Sequence, residues 1–243
     1  MSTDQAQPLV AHLIELRNRL LKAVLLVLVI FLGLFYFAND MYLILVRPLS
    51  DLLPSTGNMI ATGVVAPFLV PFKMTFVLSV LLAVPFILHQ IWAFISPGLY
   101  QHEKRFAIPL LLSSIVLFYL GIAFAYFLVL PLAFGFFTAA GPDGISYLPD
   151  ISNILDFILK VFFAFGIAFE IPIATFLLVL SGITSVESLT EKRPYIFVGC
   201  FVVGMLVTPP DVISQTVLAV PMWLLFEAGV LAGRLVKKPV QQD

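Results

Sequence analysis

Between Phe106 and Phe137 the chain runs through 32 residues without a charged side chain. Such a stretch has nothing to offer water, and wholly helical it would measure about 48 Å, well past the roughly 30 Å hydrocarbon core of a bilayer. It therefore tilts, kinks at Pro131 or projects beyond the membrane. Five further apolar segments accompany it, giving candidate spans at about residues 22–39, 68–95, 106–137, 154–181, 194–207 and 212–231. The runs lack the in-out alternation of a membrane barrel. With 61% apolar and only 11% charged residues, against about 25% charged in soluble domains, the expectation is an all-α integral membrane protein, a single membrane domain over residues 1–243.

The first run, Ala23 to Ala38, is followed by no clear small-residue cleavage site, so it reads as a retained span rather than a signal peptide. The fifth is the odd one. It has about 14 residues between Arg193 and Thr208-Pro209-Pro210-Asp211, roughly 21 Å of helix, too short to cross an unperturbed bilayer comfortably. Two consecutive prolines remove helix donors and push the preceding residue out of the helical region, so the chain turns back at Pro209. Six spans put both termini on one side. That side carries Arg17, Arg19, Lys22, Lys104, Arg105, Lys192, Arg193, Arg234, Lys237 and Lys238, ten of the thirteen basic residues, which makes it cytoplasmic by the positive-inside rule. Residues 232–243 form a short cytoplasmic tail.

Against that background a few polar residues stand out. Ahead of the first span, residues 1–21 place Leu9, Leu13, Leu16 and Leu20 on one helical stripe and His12, Glu15 and Arg19 on another, the pattern of an interfacial helix. Basic anchoring does not need Glu15; an i,i+4 pair with Arg19 explains it most simply. The loop Phe94-Ile-Ser-Pro-Gly-Leu-Tyr-Gln-His-Glu-Lys-Arg105 holds a second such acid, Glu103. Glu170 lies in mid-segment, ten residues from Lys160, the nearest charge on its own helix. A carboxylate there costs a few kcal/mol unless it is protonated, paired across the bundle or facing water, so Glu170 reads as functional. Pro172 loosens its helix. Glu227 is near enough to the cytoplasmic end to snorkel, and Gln90 and Gln215 suit interhelical hydrogen bonds. His12, His89 and His102 lack metal-ligand spacing, and Cys200 is the lone cysteine. No nucleophile elbow, zinc helix or phosphate loop is present. No catalytic residue, metal, cofactor or nucleic-acid partner is expected.

Several stretches together resemble one known family over essentially the whole chain: His12-Leu-Ile-Glu-Leu-Arg17; Ser96-Pro-Gly-Leu-Tyr100 with His102-Glu-Lys-Arg105; Phe163-Ala-Phe-Gly with Phe169-Glu-Ile-Pro172; and Lys192-Arg-Pro-Tyr195 leading to Gly204-Met-Leu-Val-Thr-Pro-Pro-Asp211. The resemblance is to the TatC family, the multi-spanning receptor of twin-arginine protein translocation. It implies a cup-shaped bundle of six helices, the last two short, in the bacterial cytoplasmic (inner) membrane. It further implies recognition, on the cytoplasmic face, of twin-arginine signal peptides on folded cargo, and export driven by the proton-motive force with TatA- and TatB-type single-span subunits, in a receptor complex of multiple copies. By the same resemblance Glu15 and Glu103 contact the arginine pair, with Arg17, Phe94 and Leu99 at the same site. Glu170 is the intramembrane polar site; Met205, Thr208 and Gln215 dock partner subunits; and Pro48, Tyr126 and Asp211 are sensitive positions on or near the far side. Guanidinium binds carboxylate bidentately and is poorly replaced by lysine, which fits the chemistry.

Two other functional classes compete with this reading. A proton-coupled small-solute transporter using Glu170 would favour an inverted repeat and paired broken helices, and the sequence displays neither. An intramembrane hydrolase would need a catalytic pairing at membrane depth, and none appears.

Overall fold

The computed structural model describes residues 6–50, 59–95, 107–139, 148–208 and 212–234. Leu99, Glu103 and Asp211 lie outside the described residues, as does the side chain of Pro48. The described chain is helical, with one isolated parallel bridge between Ile60 and Asp150. The elements are α1 (Ala6–Leu34), a 3-10 turn (Phe35–Phe37), α2 (Ala38–Ser50), α3 (Ala66–Ile95), α4 (Ala107–Phe124), a π turn (Ala125–Val129), α5 (Leu130–Ala139), α6 (Ile151–Ala168), α7 (Ile171–Leu180), α8 (Val186–Glu191), α9 (Arg193–Val207) and α10 (Val212–Arg234). Among the described residues five continuous helical stretches are long and apolar enough to cross a membrane, and Arg193–Val207 is a shorter apolar helix. Its brevity has the cause the sequence suggested: helical geometry stops at Thr208, which is extended (φ −107°, ψ 161°) just before Pro209.

The chain divides into two compact units, one of Met1–Leu45 and Pro67–Ile115, the other of Val46–Ala66 and Val116–Asp243. In the first, α1 and α3 run antiparallel in a register marked by side-chain pairs. Phe31 packs edge-on to Phe72 and Phe76 with ring centroids 5.2 and 6.0 Å apart, and Phe35 lies 6.0 Å from Phe72. Between 37 and 45 residues separate these partners in sequence, and edge-to-face geometry is the arrangement ring quadrupoles favour. Toward the other end His12 stacks on Phe94 at 4.1 Å. Within α3, Thr75 Oγ1 and Ser79 Oγ donate back to the carbonyls of Pro71 and Thr75 at 2.8 and 2.7 Å, so these hydroxyls are satisfied without leaving the helix.

The second unit is built on close helix approaches. A methyl group at Gly121 would stand 2.6 Å from the Phe165 carbonyl oxygen, and one at Gly229 would stand 2.9 Å from the Cα of Pro172. Glycine at these crossings lets α4 meet α6 and α10 meet α7 at backbone contact, the device by which membrane helices gain dispersion energy where the hydrophobic effect offers none. Beside the second crossing Leu189, Phe226 and Val230 are buried, with Ile171, Val179, Val186, Ile196 and Trp223 packed around them. The long run stays helical through Pro131. A π turn takes up the irregularity just before it, the Leu130 N–H reaching the Ala125 carbonyl.

Candidate functional site

Glu15 sits on α1 four residues before Arg19, and the two are joined as the spacing predicts. Arg19 Nε and Nη2 both donate to Glu15 Oε1, at 2.9 and 2.6 Å. The arginine also reaches α3, where Nη1 donates to Gln90 Oε1 at 3.3 Å and Nη2 to the Ala93 carbonyl at 3.2 Å. The helical stripe that carries Glu15 and Arg19 also carries His12, and His12 stacks on Phe94. The fold thus assembles Glu15, Arg19, Gln90, His12 and Phe94 at one end of the α1–α3 pair. Arg17 is on another face, donating to Asn18 Oδ1 at 3.2 Å. Glu103 and Leu99, which the resemblance adds to this site, are outside the described residues.

Glu170 occupies a break. Helix α6 ends at Ala168, α7 begins at Ile171, and Pro172 fills the second position of α7. The proline that the sequence marks as a weak point therefore interrupts the span where the carboxylate stands. Backbone bonds continue across the gap, Glu170 N–H to the Ile167 carbonyl and Ala174 N–H to the Glu170 carbonyl, at 3.0 and 2.9 Å. Glu170 Oε1 is buried. Next to the break an apolar groove of about 750 Å³ runs between α6 and α9, lined by residues including Ile167, Ala168, Ile171, Gly199 and Val203.

At the α9–α10 turn, Thr208 is buried, its hydroxyl donating to the Gly204 carbonyl at 2.9 Å. The backbone of Gln215 lies against the same glycine: a methyl group at Gly204 would stand 3.3 Å from the Gln215 carbonyl oxygen. Thr208 and Gln215 thus converge, while Met205 on α9 is exposed, as are Val202 and Leu206. At the other end of the hairpin, Arg193 Nη2 donates to Glu227 Oε2 at 2.6 Å. Glu227 does not snorkel; it ties α10 to the start of α9.

Tyr126 lies within the π turn, 6.3 Å from the ring of Phe162. π turns are rare, and they recur at functional positions. Asp150 caps α6 by accepting from the Ser152 and Asn153 N–H groups and also accepts from the N–H and hydroxyl of Thr62, at 2.8 and 2.6 Å. Hydrogen bonding to Thr62 is the main cause that holds its carboxyl well below the usual carboxylate range. Among the described residues, no three His, Cys, Asp or Glu side chains gather as a metal site.

The family model described as "Sec-independent protein translocase protein (TatC)" matches residues 11–221. The chain belongs to the TatC family. TatC proteins of Azotobacter chroococcum, Escherichia coli K12 and Aquifex aeolicus are similar at 60%, 56% and 40% identity, covering 97%, 96% and 97% of this chain and 92%, 91% and 99% of the relative. A crystal structure described as the twin arginine translocase receptor TatC is similar with a TM-score of 0.81 at 40% identity, over 92% of this chain and 98% of the other. This TatC-family chain is an all-helical, multi-pass membrane protein and a component of a translocase that works with other Tat subunits. Relatives named as protein translocases leave the small-solute transporter reading unsupported.

Sequence reasoning on this TatC-family chain missed the His12–Phe94 stack, the Arg19 contacts to α3, the Arg193–Glu227 pair, and Gly204 as the pivot of the polar turn. The i,i+4 spacing pointed to Arg19 only as a partner for Glu15. Arg193 and Glu227 are 34 residues apart, and no local pattern links them.

Proposed function

We propose that the chain is the signal-peptide receptor of a twin-arginine translocase, not an enzyme, and that Glu15 and Glu103 capture the two signal arginines at the cytoplasmic face. The observation that carries this reading is the Glu15 carboxylate beside the stacked His12–Phe94 pair, already accepting two N–H groups of one guanidinium. Charge-assisted bonds of this kind are short and directional, and Glu15 is poised to make them. Arg17, Phe94 and Leu99 belong to the same site in this proposal. The apolar part of the signal lodges in the groove flanking the Glu170 break, whose lining is apolar.

Six crossings of a bacterial inner membrane, both termini cytoplasmic, belong to the same proposal; the basic residues of the near side support it. Partner subunits of the TatA and TatB type dock at Met205, Thr208 and Gln215. The exposed apolar face of α9 around Met205 supports this, since a single-span helix needs such a surface. Pro48, Tyr126 and Asp211 serve the far side, transport draws on the proton-motive force, and several copies assemble in the receptor complex.

The test is crosslinking of a photoreactive twin-arginine peptide to the full chain in membranes. Glu15→Lys and Glu103→Lys should each abolish it, and undiminished crosslinking overturns the reading. At Glu170, Gln should preserve more export than Ala or Leu if the residue makes a polar contact; equal loss in all three points instead to an obligatory titrating carboxyl.

A further inference from the structure

Arg19 is tied to more than Glu15. Both of its bonds to that residue fall on Oε1, and the pair remains partly open to solvent, with the Arg19 and Glu15 side chains 24% and 39% exposed. Arg19 also holds Gln90 Oε1 and the Ala93 carbonyl. An incoming cation therefore meets a partly exposed carboxylate with one oxygen engaged by a guanidinium. It can take both oxygens only by displacing Arg19. That displacement does not strand Arg19, because two acceptors on α3 remain to it.

We propose that Arg19 is a specificity-determining residue: it stands in for a signal arginine on Glu15 until a ligand guanidinium replaces it and Arg19 falls back on Gln90 and the Ala93 carbonyl. This rests on the reading of Glu15 as a signal-binding residue. A guanidinium returns the two N–H···O bonds that Arg19 gives up, in the same planar geometry. An ammonium is a compact point charge that cannot match that fork, and while Arg19 stays it also faces a like charge at the same carboxylate. The resident arginine thus sets a threshold that lysine fails, and discrimination between two cations follows from competition rather than from the shape of a pocket.

The experiment measures binding of two synthetic signal peptides, with Arg-Arg or Lys-Lys at the paired position, to the full chain in lipid nanodiscs. In Arg19→Gln the Lys-Lys peptide should gain more than the Arg-Arg peptide, and the preference for Arg-Arg should fall about tenfold, the worth of one charge-assisted hydrogen bond. Arg19→Lys should fall between. Gln90→Leu, which removes a fallback acceptor without touching Glu15, should move the other way, weakening Arg-Arg binding and leaving Lys-Lys binding no stronger. In Glu15→Gln both peptides should weaken, and adding Arg19→Gln should change neither further. Equal weakening of both peptides in Arg19→Gln, with the preference intact, makes Arg19 a brace and overturns the proposal alone. Unchanged binding in Glu15→Gln overturns the reading of Glu15 itself, and this inference with it.

Discussion

Two arginine–glutamate pairs in this protein have the same 2.6 Å closest contact and opposite consequences. Glu15 and Arg19 share one helix, so parting them leaves α1 intact and Arg19 still bonded to α3. Arg193 and Glu227 join α9 to α10, and Arg193 Nε and Glu227 Oε1 are buried without a hydrogen-bond partner among the described residues. Among the described residues neither has a second acceptor or donor to turn to. The first pair is built to exchange partners, the second to hold a short helix in place. Contact length alone does not tell a binding site from a staple; what each partner keeps after separation does.

The comparison is tested most severely on the α10 side. Gly229→Ala should have the largest effect on this side, because its methyl group would stand 2.9 Å from both Pro172 Cα and Thr175 Cβ; overpacking against backbone costs about 3 kcal/mol, to be read as a lowered thermal midpoint of the purified chain in detergent. Glu227→Ala should cost about 2 kcal/mol in the same assay, between the values for fully buried and exposed pairs because Arg193 is 37% exposed. Arg193→Ala should do the same, and the double variant should cost less than the two singles added, as coupled partners do. Glu15→Ala should cost no more than about 0.5 kcal/mol of stability while removing signal-peptide binding. Should it cost as much stability as Glu227→Ala, the contrast between the two pairs fails.

The smallest effect belongs to Asp150. Its folded carboxyl is depressed below the unfolded value by Thr62 and the α6 amides, so its contribution is present above the unfolded value of about pH 4 and is lost as pH falls toward the folded one. Proteolysis of the segment around Thr62 should accelerate at acidic pH in the native chain, and Asp150→Asn should show the faster rate already at pH 7.

Much of this was legible in the sequence for physical reasons. Apolar runs announce membrane helices because the bilayer demands them, Pro172 announced the break at Glu170 because it lacks a donor, and the i,i+4 spacing announced the Glu15–Arg19 bond. What stayed hidden is long-range. His12 on Phe94, Arg19 on Gln90 and Arg193 on Glu227 join residues on separate helices, and a single sequence carries no periodic trace of them. Gly121 and Gly229 look like any other glycines until the opposing helix is in view.

The π turn before Pro131 has a consequence for chain length. Each extra residue in a turn rotates everything after it by about 100°. Here the added residue lets Val129 and Leu130 both be buried, together with Ala133 and Phe134. Removing one residue from Ala125–Val129 would restore a regular helix and swing Leu130–Ala139 onto a different face, while a conservative replacement there leaves the register alone. The segment should therefore tolerate substitution far better than insertion or deletion, and its length is set by angular phase as much as by the thickness of the membrane.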